Sequence, residues 1–333
     1  AGRDYAASRG EYLNGIILAN YLGYEFVDAE DVIFFDTNGN LDAKKTNQVL
    51  SERLLTVDRA VVPGFYGIRP NDTIKTFSRG GSDITGAIVA RAVKADLYEN
   101  WTDVSGFLVA DPRIIDNPKP IVTITYKELR ELSYMGATVL HDESIFPVRK
   151  EGIPINIRNT NKPEDPGTII TANPSGHEDG QIISGIAGSK DFTVIAIYKN
   201  LMSGERGFIR RLTAILEDND MSIEHIPSGI DTLSVVLSNE TLDGKLDEII
   251  DEFERQLKPD HIEVFEDVAL IATVGAGMSF RPGVSAKLFS ALAEAGVNIR
   301  MIDQGSSEMN IIVGVENKDF ETAIRSIYKA FVV

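Results

Sequence analysis

The 333-residue sequence contains no cysteine, which excludes disulfides, thiolate nucleophiles and cysteine-held metals. A reducing, cytoplasmic setting is the expectation. Histidine is scarce as well: His141, His177, His225 and His261 are scattered, with no two at the spacing of a metal-binding pair. No metal site is predicted. Positive charge is in deficit, 33 Lys and Arg against 50 Asp and Glu, and the formal charge of −17 opposes polyphosphate backbones and anionic lipid. Nucleic acid and membrane partners are not expected. No apolar run approaches the roughly 18 residues of a membrane span. The start, Ala1-Gly2-Arg3-Asp4-Tyr5, has neither a signal-like apolar stretch nor a Met, so a chain cut from something longer is the expectation.

What is present is globular material, 43% apolar and 25% charged, with length for about two or three domains. From Ala6 to about Thr171, short β-rich runs alternate with amphipathic stretches, the pattern of α/β layers. Tyr12-Leu13, Ile16-Ile17 and Asn20-Tyr21 recur at helical spacing before a stop at Gly23. Strands are predicted at Glu25–Asp28, Ala60-Val61-Val62 and Leu97–Trp101, and a helix starting at Ser82-Asp83 carries Ile84, Ala87, Ile88, Arg91 and Ala92. A Pro, Asn and Gly-rich tract, Asn159 to Gly180, marks the domain boundary.

Beyond it lies an internal repeat. Shifting Thr193–Leu237 by 76 positions onto Ala269–Val313 matches Ile195 with Ile271, Met202 with Met278, Gly207 with Gly283, Leu212 with Leu288 and Leu216 with Leu292. Each copy reads βαββα, with last helices expected at Asp243–Leu257 and Phe320–Phe331. The first copy gains a strand at His261–Phe265, completing a βαββαβ ferredoxin-like unit, whereas the second has none at its end. Gln181–Ala187 is therefore expected to pair with the second copy, which places the first copy within the second.

Three clusters carry chemistry. Ser78-Arg79-Gly80-Gly81-Ser82-Asp83 sets two glycines before a helix, where backbone N–H groups and the positive helix end can approach an anion. Arg79 adds a fork matched to carboxylate or phosphate. A glycine turn capped by Ser82 or Asp83 explains the glycines equally well but leaves the arginine without a task. Trp101-Thr102-Asp103-Val104-Ser105-Gly106 follows a strand and leads to Asp111-Pro112-Arg113, and the carboxyl ends of strands in open α/β sheets are where ligands bind. Two plain turns would also account for it. Ser8-Arg9-Gly10-Glu11 reads as an N-cap with a first-turn Glu or as a third part of the same site.

Taken in order, Ser8–Glu11, Gly64-Phe65, Thr76–Asp83, Trp101–Gly106, Asp111–Arg113 and Gly136-Ala137-Thr138-Val139-Leu140-His141, followed by two tandem βαββαβ modules, closely resemble aspartate kinase over essentially the whole chain. The resemblance implies an α/β fold: a partial amino-acid-kinase α/β/α sandwich over residues 1–172, a linker and pairing strand over 173–191, and ACT domains over 192–267 and 268–333, the first inserted within the second. It implies transfer of the γ-phosphoryl group of ATP, with Mg²⁺ bridging the phosphates, to the β-carboxylate of L-aspartate. Arg79 would hold the α-carboxylate and Glu11 the α-ammonium group, while Phe65, Thr76 and Asp83 shape the pocket; Arg79 and Asp83 are the catalytic pair. Thr102, Asp103, Asp111 and Arg113 would line the ATP site. A carboxylate is already nucleophilic, so no general base is needed. The sequence departs from relatives at Thr138 and Asp142, where many read Lys and Pro, and at Leu108, where some carry Tyr. The opening Lys-Phe-Gly-Gly strand of the family is not in it, and the chain alone is expected to be inactive.

In the repeat, Met202-Ser203-Gly204-Glu205-Arg206-Gly207-Phe208 joins a strand to a helix, which suits a small anion, and Glu224 could receive a cation. Read plainly, the loop is a tight turn and Glu224 a solvated charge, since the second copy has Arg300 there. The resemblance favours an amino-acid effector, lysine rather than threonine, at Met202, Glu205, Gly207, Phe208, Ile223, Glu224 and Ser228. It also implies a homodimer through the ACT domains, with a tetramer as an extension. The competing reading is a non-catalytic amino-acid-binding regulatory subunit, which would begin near Gln181; the catalytic-type residues 1–172 favour the enzyme.

Overall fold

The structure is a computed structural model and describes residues 2–78, 80–136, 142–172 and 182–333. These fall into two compact units. One is built from the chain up to Phe107, Pro120–Ser133 and 142–172, the other from Leu108–Lys119, 134–136 and 182–333.

In the first unit, α1 (Arg3–Leu22) stops where Gly23 turns left-handed and returns its N–H to Ala19 O. β1 (Glu25–Phe26) pairs in parallel with β2 (Ala60–Val61). Between them stand α2 (Ala29–Val32), capped by Asp28, and α3 (Ala43–Leu54), capped by Asp42. The hairpin of β3 (Tyr66–Ile68) and β4 (Ile74–Thr76) leads into α4 (Gly81–Val93). Ile33, Leu50, Tyr66, Ile84 and Ile88 form the core beneath them.

Four further strands make one sheet in the order β5 (Tyr98–Thr102), β7 (Ile155–Asn159), β8 (Thr168–Thr171) and β6 (Thr123–Thr125). β5 and β7 are parallel, so their carboxyl ends emerge together. α5 (Tyr126–Tyr134) and α6 (Asp142–Arg149) lie between β6 and β7 in sequence.

The second unit is one five-stranded antiparallel sheet with helices. Its elements are β9 (Gly185–Tyr198), α7 (Phe208–Asp218), β10 (Thr232–Ser238), α8 (Asn239–Leu242), α9 (Leu246–Leu257), β11 (His261–Val274), α10 (Val284–Glu294), β12 (Met301–Asp303), β13 (Asn310–Glu316) and α11 (Phe320–Val332). The strand order is β10-β9-β11-β13-β12. Both long strands serve two modules. Phe192–Tyr198 pairs with β10, and within it Val194–Tyr198 pairs with His261–Phe265, whereas Gly185–Ser189 pairs with Leu270–Val274. The strand before the first repeat thus completes the second, and Gln181, the expected start of that strand, lies outside the described residues. The register breaks between Phe265 and Leu270, beside Asp267, which is left-handed as Asp191 is.

The repeat has a packing cause. Ile195 and Ile271, Leu212 and Leu288, and Leu216 and Leu292 are all fully buried. Gly207 and Gly283 cap equivalent helices at φ 78° and 91°, a conformation that favours glycine. One expectation differs. The helix expected over Asp243–Leu257 begins three residues later, at Leu246, because Asp243 and Gly244 adopt positive φ and separate it from the short α8 that precedes it. Leu108–Lys119, read from sequence as kinase-type chain, packs in the second unit. There Ile186 N–H donates to Val109 O at 2.7 Å, Lys119 N–H to the Tyr328 hydroxyl at 3.0 Å, and Arg325 Nε to Ile114 O at 3.1 Å.

Candidate functional site

The first unit carries the helix start that follows the Gly80-Gly81 pair. Arg79 itself lies outside the described residues, as do Ala137–His141 of the Gly136–His141 motif. Gly80 is the N-cap of α4 at φ 56°, and no side chain caps it. Ser82 and Asp83 stand inside the helix, so a cap formed by either is excluded. Gly81 is required by close approach: a Cβ there would lie 2.8 Å from Phe65 Cδ2 and 3.0 Å from Phe77 Cβ. Thr85 fastens the turn, donating to Gly81 O at 2.7 Å and accepting from Phe65 N–H at 3.1 Å. Phe65 holds a left-handed φ of 82°. That conformation is strained for a non-glycine residue.

Two of the other residues expected from sequence to shape an aspartate pocket, Thr76 and Asp83, have partners that spacing does not reveal. Thr76, buried, donates from Oγ1 to Asp4 Oδ1 at 3.1 Å. Asp83 accepts from Asn100 Nδ2 at 2.9 Å, and the Tyr98 hydroxyl donates to Asp83 O at 3.1 Å. Burial pushes the Tyr98 hydroxyl up to about 12. Glu11 is exposed on α1. Because α1 begins at Arg3, Ser8 is no cap; its hydroxyl donates to Tyr5 O at 2.8 Å and accepts from Arg9 Nη2 at 3.0 Å. The Arg9 guanidinium lies 4.4 Å from the ring centres of both Tyr5 and Tyr12. This cation–π sandwich stiffens the segment that carries Glu11.

At the carboxyl end of β5, Thr102 Oγ1 and Asp103 Oδ1 are 3.3 Å apart, and Asp103 is exposed. The following loop is braced from β7: Thr160 N–H donates to Thr102 O at 2.8 Å, and Asn159 Nδ2 to Ser105 Oγ at 2.9 Å. Asp111 and Arg113 belong to the second unit. They form a forked pair at 2.6 and 3.0 Å, and the guanidinium holds the Asp111 carboxyl below the usual carboxylate range.

The residues expected from sequence to hold an effector lie in the second unit, and several have partners outside that set. Met202 and Phe208 are buried, while Leu201 and Gly207 turn left-handed on either side of the loop. Glu205 pairs with Lys199 at 2.7 Å and with Arg211, and both cations, Lys199 first, lower its carboxyl pKa. Glu224 accepts from the Tyr134 hydroxyl at 2.6 Å. Its neighbour His225 meets Asp303 Oδ2 through Nδ1 at 2.7 Å. Ile223 packs on the first module's core, and Ser228 pairs with Leu233 by a bridge. Nothing local in the sequence signals Tyr134, Asn100 or Asp303 as partners.

A kinase-type α/β unit, with a glycine-capped helix start and a parallel strand pair ending in Thr102-Asp103, joined to duplicated ACT-type modules, defines a feedback-controlled amino-acid kinase. The comparisons agree: the amino acid kinase family matches residues 1–159 and the ACT domain matches residues 271–331. Aspartokinase 3 of Bacillus subtilis is 39% identical over 337 residues, covering 98% of this chain and 74% of that protein. The chain belongs to the aspartokinase family. Among solved structures, the aspartate kinase of Clostridium acetobutylicum matches with a TM-score of 0.94 and 60% identity, covering 99% of this chain and 76% of that one. E. coli aspartokinase III, solved with aspartate and ADP, matches with a TM-score of 0.75 and 25% identity over 99% of this chain and 76% of that one. The same protein has been solved with lysine and aspartate.

Proposed function

We propose that this chain provides the aspartate- and nucleotide-binding residues of an enzyme that phosphorylates L-aspartate to 4-phospho-L-aspartate at the expense of ATP, under feedback control by an amino acid. The observation that carries the reading is the placement, within one unit, of the helix start that follows Arg79 and of the parallel strand end bearing Thr102 and Asp103. The backbone N–H groups of the α4 start, with Arg79, supply the cationic end for the aspartate α-carboxylate. Glu11 takes the α-ammonium group. Phe65 and Thr76 wall the pocket.

The β-carboxylate oxygen attacks the γ-phosphorus in line, the bond to the bridging oxygen breaks, and ADP leaves with both electrons. The protein's part is alignment and neutralisation of charge, and no proton has to be removed from the nucleophile. Thr102 and Asp103 are the nucleotide residues that this unit contributes. The exposed Asp103 carboxylate is a hard oxygen donor of the kind a Mg²⁺ ion accepts, and that ion travels with the phosphates. Lysine is the effector in this reading, held by the Met202–Phe208 loop and the 222–229 segment, in a dimer formed through the ACT modules. The setting is the cytoplasm; among the described residues no helix is long and apolar enough to cross a membrane.

The test is aspartate-dependent ADP formation by the full-length protein, with hydroxylamine trapping the acyl phosphate as a hydroxamate. Arg79→Ala is expected to raise the KM for aspartate and lower kcat, by roughly tenfold to a hundredfold overall, the worth of a charged hydrogen-bond pair. Hydroxamate formed equally from glutamate would assign a different acceptor.

A further inference from the structure

We infer that Asn100 is a positioning residue for phosphoryl transfer, fixing through Asp83 the distance between the acceptor end of the site and its nucleotide end. The inference rests on the reading given under Proposed function.

Asn100 lies in the middle of β5, 8% exposed, with two residues between it and Asp103. Asp83 lies in the first turn of α4, three residues after Gly80. Asn100 Nδ2 donates to Asp83 Oδ1 at 2.9 Å and reaches the Tyr98 hydroxyl at 3.0 Å, and that hydroxyl donates to Asp83 O at 3.1 Å. The three groups close a ring between a strand and a helix. Gly86 makes room for it, since a Cβ there would lie 2.5 Å from the Tyr98 hydroxyl oxygen.

The consequence is geometric. One end of this ring is the helix start that receives aspartate, and the other is the strand that delivers Thr102 and Asp103 to the nucleotide. In-line transfer between two bound substrates depends on their spacing, and a misplacement of about 1 Å can cost on the order of a hundredfold in rate. Each substrate still meets its own residues when the tie is cut, so binding and transfer separate. An Asp83 that bound aspartate directly would instead make KM the sensitive quantity.

Asn100→Asp is nearly isosteric, and it replaces the donor with a second carboxylate facing Asp83. Steady-state kinetics of the full-length enzyme are expected to show kcat lowered roughly tenfold to a hundredfold, with KM for aspartate and for ATP each within about threefold of wild type. The unfolding temperature of Asn100→Asp is measured beside its kinetics. A merely structural role predicts a lowered unfolding temperature with kcat unchanged. An active wild type with Asn100→Asp at full kcat, or KM rising while kcat holds, overturns the inference. If Asn100→Asp does not fold, Tyr98→Phe removes the hydroxyl from the ring and must show the same split in smaller measure; unchanged kcat there overturns it equally. A wild type that forms no aspartate-dependent ADP overturns the underlying reading, and the two failures are thereby told apart.

Discussion

The Tyr134 hydroxyl, at the end of α5, donates to the Glu224 carboxylate at 2.6 Å across 90 residues of sequence. Both residues belong to the second unit. In the proposed reading Glu224 is one of two carboxylates that could receive an effector's ammonium group, and Tyr134 would then compete for it. Tyr134→Phe is expected to tighten lysine binding, because the ligand no longer displaces a hydrogen bond. With a half-solvated partner the gain is about 0.5–1.5 kcal/mol, roughly two- to tenfold in Kd. Calorimetry on wild type and variant measures it, and equal or weaker binding in Tyr134→Phe would remove Tyr134 from the site.

Glu205, the other carboxylate, is already neutralised by Lys199 and Arg211. An ammonium arriving there would meet two cations, so Glu224 is the better receptor. The Lys199 contact, followed by the Arg211 contact, lowers the Glu205 pKa in the folded state. A depressed folded pKa gives a stabilisation present above the ordinary value of about 4.3 and lost as pH falls through the lowered one. Carbon-detected NMR of the Glu205 carboxyl is expected to show its midpoint below that ordinary value. Lys199→Ala should raise it. A midpoint unmoved by the variant would mean that the pair does not persist in solution.

Much of this arrangement was legible in the sequence, and what was not has definite causes. The repeat could be read because Ile195, Leu212 and Leu216 and their counterparts are all core positions, and core volume constrains residue type. Gly207 and Gly283 could be read because positive φ selects glycine. The start of α9 at Leu246 rather than Asp243 is less legible, because the left-handed φ of Asp243, a residue other than glycine, is set by the fold. Asp83 was read as lining a pocket, but its partners, Asn100 and Tyr98, come from the next strand. Asp111 and Arg113 lie two positions apart in sequence, and their mutual pairing leaves no trace in spacing. Such contacts are set by tertiary structure, which a local pattern cannot encode.

Gly81→Ala tests the close packing behind the α4 start. Its Cβ would press on Phe65, which already holds a left-handed φ, and on the Phe77 Cβ. Neither neighbour is the free end of a flexible chain. Overpacking of this kind costs about 1–3 kcal/mol, and the start of α4 would shift with it. Thermal unfolding should show the loss together with a raised KM for aspartate; full stability in Gly81→Ala would mean that the turn relaxes at no cost.

The last prediction follows from the two long strands. β9 and β11 each run 14 residues and contribute to both modules, so neither module owns a complete sheet. Cutting the chain between them leaves one module without its edge strand. Leu212 and Leu288 are equivalent, each fully buried under its own half of that sheet. Leu212→Ala and Leu288→Ala should each cost about 2–5 kcal/mol. The shared ladder makes the loss common property: either variant should lower the unfolding of both modules together, in one transition. Hydrogen exchange reads this directly, because amides of β10 and β13 should lose protection in parallel in either variant. If Leu212→Ala loosens β10 while β13 keeps its full protection, the modules are separate folding units, and the continuous strands join them without coupling them.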